Sequence, residues 1–338
     1  MEYSMSRMLV ETVVKNALKS MKSNPERGVR NLADMALQFA DGKFQKNFLT
    51  DIQTMLQKKN SAYYELAREM VSYTNAERLC TFGMNLGYNG CTMGTRIIRE
   101  KEKNLNCYIP WTVGIQIRGD RFEENQPNYH AAIREGESLG IYMWMLFAVK
   151  QSEKLLSLVK MHTDSAFCLF CNQEDLSDEF LDEAANLYNV MIVVRYEKKA
   201  ADICKVLRKR GLLYSVWYPY GQKDSEIIRN GVLFHSIQRL HPAFTVLLQT
   251  LNCPEMIQRL VYQTVKQARG EQLYHTVLFE LHGDNDQINS IISGDPCSVC
   301  FDENGNLCDW CRKNTGRQHN LLHNSLTEIL TDAFAKKS

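Results

Sequence analysis

An excess of charge of either sign is missing from this 338-residue sequence: 40 Lys and Arg face 39 Asp and Glu, for a formal net charge of +1. That balance gives no general electrostatic ground for binding DNA, RNA or an anionic membrane surface. Long apolar runs are missing too, since none reaches the ~18 residues that a membrane span requires. The first residues, MEYSMSRMLVETVV, carry Glu2, Arg7 and Glu11 and offer neither an apolar stretch nor a small-residue cleavage site. They do not read as a secretory signal, and a cytoplasmic location is expected. The sequence also lacks HExxH, GxSxG and Walker A motifs, and no cysteine nucleophile has a recognisable signature.

What is present fits a globular protein with a full core: 44% hydrophobic and 23% charged residues. The length suits two domains, or one large barrel with an appendage. Cysteine is plentiful, at eleven residues. The odd total and the scatter argue against a secreted disulfide framework, and four of them crowd near the C-terminus.

The first hundred residues read as helical. Met5, Met8, Leu9, Val13, Val14, Leu18 and Met21 recur at helical spacing. The stripe Met8, Leu9, Val13 and Leu18 is expected to bury against the rest of the protein rather than in lipid. Asn24-Pro25 reads as an N-cap followed by proline at the first helical position. Leu32, Met35, Ala36 and Phe39 continue a second amphipathic stretch, and helical patterns follow at 48–56 and 63–73. The patch FGMNLGYNGCTMG, with Gly83, Gly87, Gly90 and Gly94, follows no strand, so its small residues suit close helix packing or a turn better than a phosphate loop. The charged run 96–103 marks the expected boundary, with a helical region over 1–103.

From Asn106 short β-branched or aromatic runs at 111–117, 141–148, 167–170, 190–194 and 212–218 alternate with amphipathic segments at 129–139, 152–160, 178–188 and 200–210. Further strands are expected at 244–251 and 274–281, with a helix at 255–269 between them. This alternation predicts βαβ units, a parallel sheet and a complete or incomplete (β/α) barrel over 104–290. Polar residues at the strand ends, namely Arg118, Asp120, Lys150, Asn172, Gln173, Arg195, Tyr218 and Tyr220, would line its C-terminal mouth. Cys168 and Cys171 form a CxxC inside a strand, where residues three apart point to opposite faces, so they read as core cysteines.

The strongest motif lies in the Cys-rich module expected at 291–338. Cys297-Ser-Val-Cys300 and Cys308-Asp-Trp-Cys311 are joined by seven residues containing Asn304-Gly305, a type I′ hairpin signal. Folded back on each other, the two pairs would present four thiolates to Zn²⁺ or to an iron–sulfur cluster. His319 and His323 follow closely enough for one to stand in for a thiolate, although they also suit an exposed helix.

Several segments resemble one group of bacterial radical SAM proteins: NLNCYIPWTV at 104–113, LGIYMWML at 139–146, the strand–helix alternation and the cysteine segment CSVCFDENGNLC. Ser325-Leu-Thr-Glu-Ile-Leu is similar to the short helix that follows those cysteines. The resemblance implies an α/β fold with a partial (β/α) barrel, an α-helical N-terminal extension and a SPASM-like Cys-rich C-terminal module. It also exposes two departures. The loop after the first strand, Arg118-Gly-Asp-Arg-Phe-Glu-Glu-Asn, lacks the CxxxCxxC that holds the catalytic cluster in that family. The GGEP-type segment that contacts SAM is replaced by Phe147-Ala-Val-Lys-Gln-Ser. A degenerate member is therefore expected, without the SAM site and with zinc or an iron–sulfur cluster on the C-terminal cysteines. It would act as a partner, scaffold or regulator toward a protein or peptide. Two alternatives stay open: a redox or transferase enzyme using the C-terminal cluster, and a small-molecule binding protein with structural zinc.

Overall fold

The computed structural model describes residues 2–38, 50, 52–310 and 319–336. Helix α1 spans Glu2–Ser23 and α2 spans Pro25–Gln38. Their joint is the predicted cap: Asn24 Oδ1 accepts from the Arg27 N–H at 3.0 Å, and Pro25 opens the helix. Gly28 lets α2 fold back over α1, because a Cβ there would lie 2.5 Å from Met21 Cγ.

The expected buried stripe is corrected. Met8 and Leu9 are 65% and 59% exposed, whereas Ala17 and Met21 are buried, packed with Leu18 against Val29, Leu32 and Val71. The reason is length: α2 has 14 residues against 22 in α1, so folding back from Asn24 it covers only the later turns. Phe39 lies outside the described residues.

The glycine patch is neither a loop nor a turn. The helix Ala76–Gly83 runs through a π-helical stretch, Met84–Gly94, into the helix Thr95–Leu105. Its small residues serve packing, since a Cβ on Gly94 would stand 2.3 Å from the Gly140 carbonyl oxygen. Buried Asn85 and Asn89 donate to the carbonyls of Thr163, Ser165 and Asp164 at 2.7–3.0 Å, tying this segment to the loop before the third strand. The charged run 96–103 is helical, with Ile98 and Glu102 buried. That helix stops at Asn106, whose backbone is left-handed.

Seven strands follow: β1 Thr112–Arg118, β2 Met143–Val149, β3 Ala166–Cys171, β4 Val190–Arg195, β5 Tyr214–Tyr220, β6 Phe244–Gln249 and β7 Val277–Glu280. Each pairs in parallel with the next, so the sheet winds in one direction as a partial barrel. β8 (Val299–Phe301) then returns to the free edge of β1, in parallel, and β9 (Leu307–Cys308) closes that edge antiparallel.

The period-2 alternation separates the two faces of the sheet. Trp144 faces the outer helices, because Gly136 on the helix Phe122–Leu139 leaves room for its ring. On the concave face Phe170 stacks on Phe147 and meets Trp217 edge-on. Cys168 and Cys171 therefore lie on opposite faces, both buried, and burial pushes each thiol far above the ordinary range. The unpredicted helix Leu281–Ser293 follows β7 directly, and its Asn289 bridges the Trp111 N–H and the Cys297 carbonyl at 3.0 and 2.8 Å.

Candidate functional site

The cysteine hairpin is part of the sheet. β8 pairs with β1 through Val113–Val299, Gly114–Cys300 and Ile115–Phe301. Cys300 and Cys308 are directly opposed across β8 and β9. Cys297, just before β8, is buried, with its Sγ 3.8 Å from the Tyr108 carbonyl oxygen. Cys311 lies outside the described residues. Among the described residues no group of three or more His, Cys, Asp and Glu side chains is placed to hold a metal ion. Cys300 and Cys308 are the two ligand candidates that the structure brings face to face.

The expected type I′ turn is corrected. That turn needs two residues at positive φ, and among 302–306 only Gly305 has one, at +82°. The loop is a type I turn followed by a glycine bulge. Gly305 N–H donates to the Asp302 carbonyl, and Asp302 N–H to that of Asn306, both at 2.9 Å. The Asp302 carboxylate selects this form by accepting from the N–H groups of Asn304 and Asn306 at 2.9 and 2.8 Å. Among the described residues, neither histidine side chain is grouped with the cysteines. His319 Nε2 lies 2.9 Å from the Asp332 carboxylate, and His323 is exposed. Both precede the helix Leu326–Ala333, which Ser325 and Glu328 cap reciprocally.

At the C-terminal mouth, β1 ends in a single 3₁₀ turn, Gly119–Arg121, and the next helix starts at Phe122. Gly119 is pressed against the β2 loop: a Cβ would stand 2.4 Å from the carbonyl oxygens of both Lys150 and Gln151. Those two residues are themselves left-handed, at φ 60° and 47°. Arg118 holds Asp120 in a two-pronged bond at 3.0 and 2.8 Å, which keeps the Asp120 carboxyl below its ordinary range. Its other nitrogen comes within 4.0 Å of Glu303 in the hairpin loop.

The remaining expected mouth residues divide. Asn172 is half-buried. Gln173 ties two loops together, donating to the Arg195 carbonyl and accepting from Lys199 N–H. The Arg195 guanidinium lies 5.4 Å from the centre of the Trp217 ring. Tyr218 and Tyr220 do not point into the mouth. Alternation along β5 turns them to the helix side, where they donate to Asp224 at 2.7 Å and Glu280 at 3.0 Å. Glu280, which sequence reasoning missed, is buried, and burial pushes its carboxyl up to about 7.

Comparison with solved structures now decides the architecture. The chain is similar to SuiB of Streptococcus suis bound to S-adenosylmethionine, with TM-score 0.52 and 11% identity over 71% of this chain and 68% of that one. SuiB bound to its precursor peptide SuiA gives 0.51 and 11% over 71% and 69%. A third SuiB structure gives 0.52 and 12% over 88% and 83%. No protein-family model and no curated protein sequence matches.

The fold is a partial (β/α) barrel of the radical SAM type.

The radical SAM cluster does not fit the loop after β1. That loop carries no thiol, and its glycine lies against two backbone carbonyls where a cluster would need space. The C-terminal cysteines fit a metal better in donor chemistry, since thiolates suit Zn²⁺ and iron–sulfur clusters. Although Cys300 lies far along the sequence, β8 sets it beside Gly114 of the first strand. Two further residues were missed: Gly114 in β1 and Trp310, whose ring lies over it. A glycine in the middle of a strand was the available signal, because it marks close approach of another group.

Proposed function

We propose that this chain is a peptide-binding protein that uses the radical SAM fold without cleaving SAM, and that carries zinc or an iron–sulfur cluster on its C-terminal cysteines. The observation that carries the first half is the closed β1 loop. Three residues span from strand to helix, none is a cysteine, and Gly119 touches the Lys150 and Gln151 carbonyls. The SuiB structures, one bound to S-adenosylmethionine and one to precursor peptide, support a peptide partner for a barrel of this shape. Cys300 and Cys308 would supply two ligands, with Cys297 and Cys311 completing the set. A metal so bound would supply local folding energy and fix the hairpin.

Two expected results test the reading. Reconstituted protein incubated anaerobically with dithionite and SAM should give no 5′-deoxyadenosine above a protein-free control by chromatography. Catalytic amounts would show a working site and end the non-cleaving reading. Protein purified without oxygen should carry stoichiometric metal, and Cys297→Ser with Cys308→Ser should drop it at least ten-fold by elemental analysis. Unchanged metal in that double variant would remove these cysteines from the ligand set.

A further inference from the structure

Two histidines meet ring to ring among the outer helices, away from the cysteine hairpin. His130 is half-buried midway along the helix Phe122–Leu139, and its Nδ1 lies 3.1 Å from Nε2 of buried His162. His162 ends the helix Leu156–Met161. Each ring also has its second nitrogen engaged. His162 Nδ1 stands 3.3 Å from the Glu137 carboxylate, whose other oxygen accepts from the Ser165 hydroxyl at 2.7 Å. His130 Nε2 stands 3.4 Å from the amide nitrogen of Gln126.

This chain of contacts holds for some proton counts and not for others. A neutral imidazole has one N–H and one lone pair. With both rings neutral, His162 Nδ1–H donates to Glu137, which leaves its Nε2 to accept from His130 Nδ1–H. One extra proton on the pair still leaves a donor facing an acceptor. A second sets N–H against N–H at 3.1 Å, between two cations. Burial, then His162 and Arg134, hold the His130 imidazole below its ordinary 6.5. Glu137, Asp164 and Arg7 of α1 are the other charged groups nearby, gathered around Tyr142.

The pair grips the turn 162–165, and that turn is the seat of the N-terminal extension. Asn85 and Asn89 donate to the Thr163, Ser165 and Asp164 carbonyls, and Arg7 reaches the Asp164 carboxylate at 3.0 Å. Asn189 supports the turn from the β4 side, through the carbonyls of Val159, His162 and Ser165. On the outer side His130 and Glu137 bind it to the helix Phe122–Leu139.

We propose that the His130–His162 pair is a proton-operated latch on the seat of the N-terminal extension, shut while the pair carries at most one extra proton and opened by the second. With the latch open, His130 leaves His162, and the turn beneath Asn85 and Asn89 loosens. The folded chain protonates His130 less readily than the unfolded chain does. The latch therefore contributes stability that is complete above about 6.5 and lost as the pH falls below it. It rests on neither the peptide reading nor the metal.

The test is hydrogen exchange of the full chain by mass spectrometry at pH 7.5 and 5.0, with rates corrected for intrinsic chemistry. Peptides covering 84–94 and 162–166 should exchange roughly five-fold faster at the lower pH. His130→Asn keeps an N–H near the position of Nδ1 but cannot take a proton, so it should abolish that rise. A rise that survives in His130→Asn would assign the acid response to another group, such as Asp164, and overturn the latch. So would a parent whose two segments exchange equally at both pH values. Should His130→Asn not fold, ¹⁵N-histidine spectra of the parent decide: the exchange rise must follow the protonation of His130, and a rise at any other pH sinks the latch.

Discussion

Alanine in place of Arg78 is expected to lower the unfolding free energy by about 4 kcal/mol, read from the urea midpoint at unchanged slope. Arg78 is 2% exposed. Its guanidinium donates to the carbonyls of Ala184 at 3.3 Å, Ala185 at 2.8 Å and Leu187 at 2.8 Å, at the C-terminal end of the helix Asp178–Ala184. The Ala184 carbonyl also accepts from Leu187 N–H at 3.1 Å, whereas carbonyls at a helix end otherwise lack intrahelical partners, and a cation there also meets the negative end of its dipole. Burial lowers the guanidinium's basicity, so the arrangement stands on hydrogen bonding rather than on bulk charge. Hydrogen bonds from a charged donor contribute ~1.5–3 kcal/mol each, and water entering the vacated space recovers part of the three. Arg78→Lys should cost roughly half as much, because one ammonium cannot span all three carbonyls. A loss below about 1 kcal/mol for Arg78→Ala would show that the helix end is satisfied some other way.

Arg78 also shows how far the sequence could be read. It lies in a helix whose pattern is ordinary, and nothing local announces that its side chain caps another helix a hundred residues later. The strands were legible because parallel strands buried on both faces leave continuous β-branched and aromatic runs. The run expected at 190–194 is β4, Val190–Arg195, almost residue for residue. The helix Leu281–Ser293 was not legible, because part of its buried face is polar. Asp284 is matched by Arg269 at 2.7 and 2.8 Å, and Asn289 by two backbone groups, so LHGDNDQINS reads as a loop until those partners are known. The cysteine spacing foretold a hairpin, but not its register. That β8 docks on β1, and so brings Trp310 onto Gly114, is a long-range pairing that no local pattern encodes. Asn304-Gly305 foretold the turn but not its type, since Asp302, two residues earlier in the loop, decided it.

Glu280→Gln is expected to leave stability unchanged at pH 4 and to raise it by about 3 kcal/mol at pH 8. The parent carboxyl is buried behind β7, with Tyr220 donating to one oxygen at 3.0 Å and the Gly283 N–H to the other at 2.6 Å. Burial is the leading cause of its shift from 4.5 to about 7, and these two bonds only partly offset it. A carboxyl raised in this way holds its proton in the folded state at a pH where the unfolded chain has released it. Its contribution to stability is therefore complete below about 4.5, declines as pH rises, and is lost by about 7. The shift of roughly 2.5 units at 1.36 kcal/mol per unit gives the expected magnitude. Glutamine reproduces the neutral acid: its carbonyl accepts from Gly283 N–H, and its amide donates to a Tyr220 hydroxyl that turns to receive it. Urea unfolding of both proteins from pH 4 to 8 isolates this group, because every other titration is common to the pair. The difference curve should climb between pH 5 and 7 with a slope approaching one proton. A flat curve would mean that water or a rearranged partner keeps Glu280 an ordinary carboxylate.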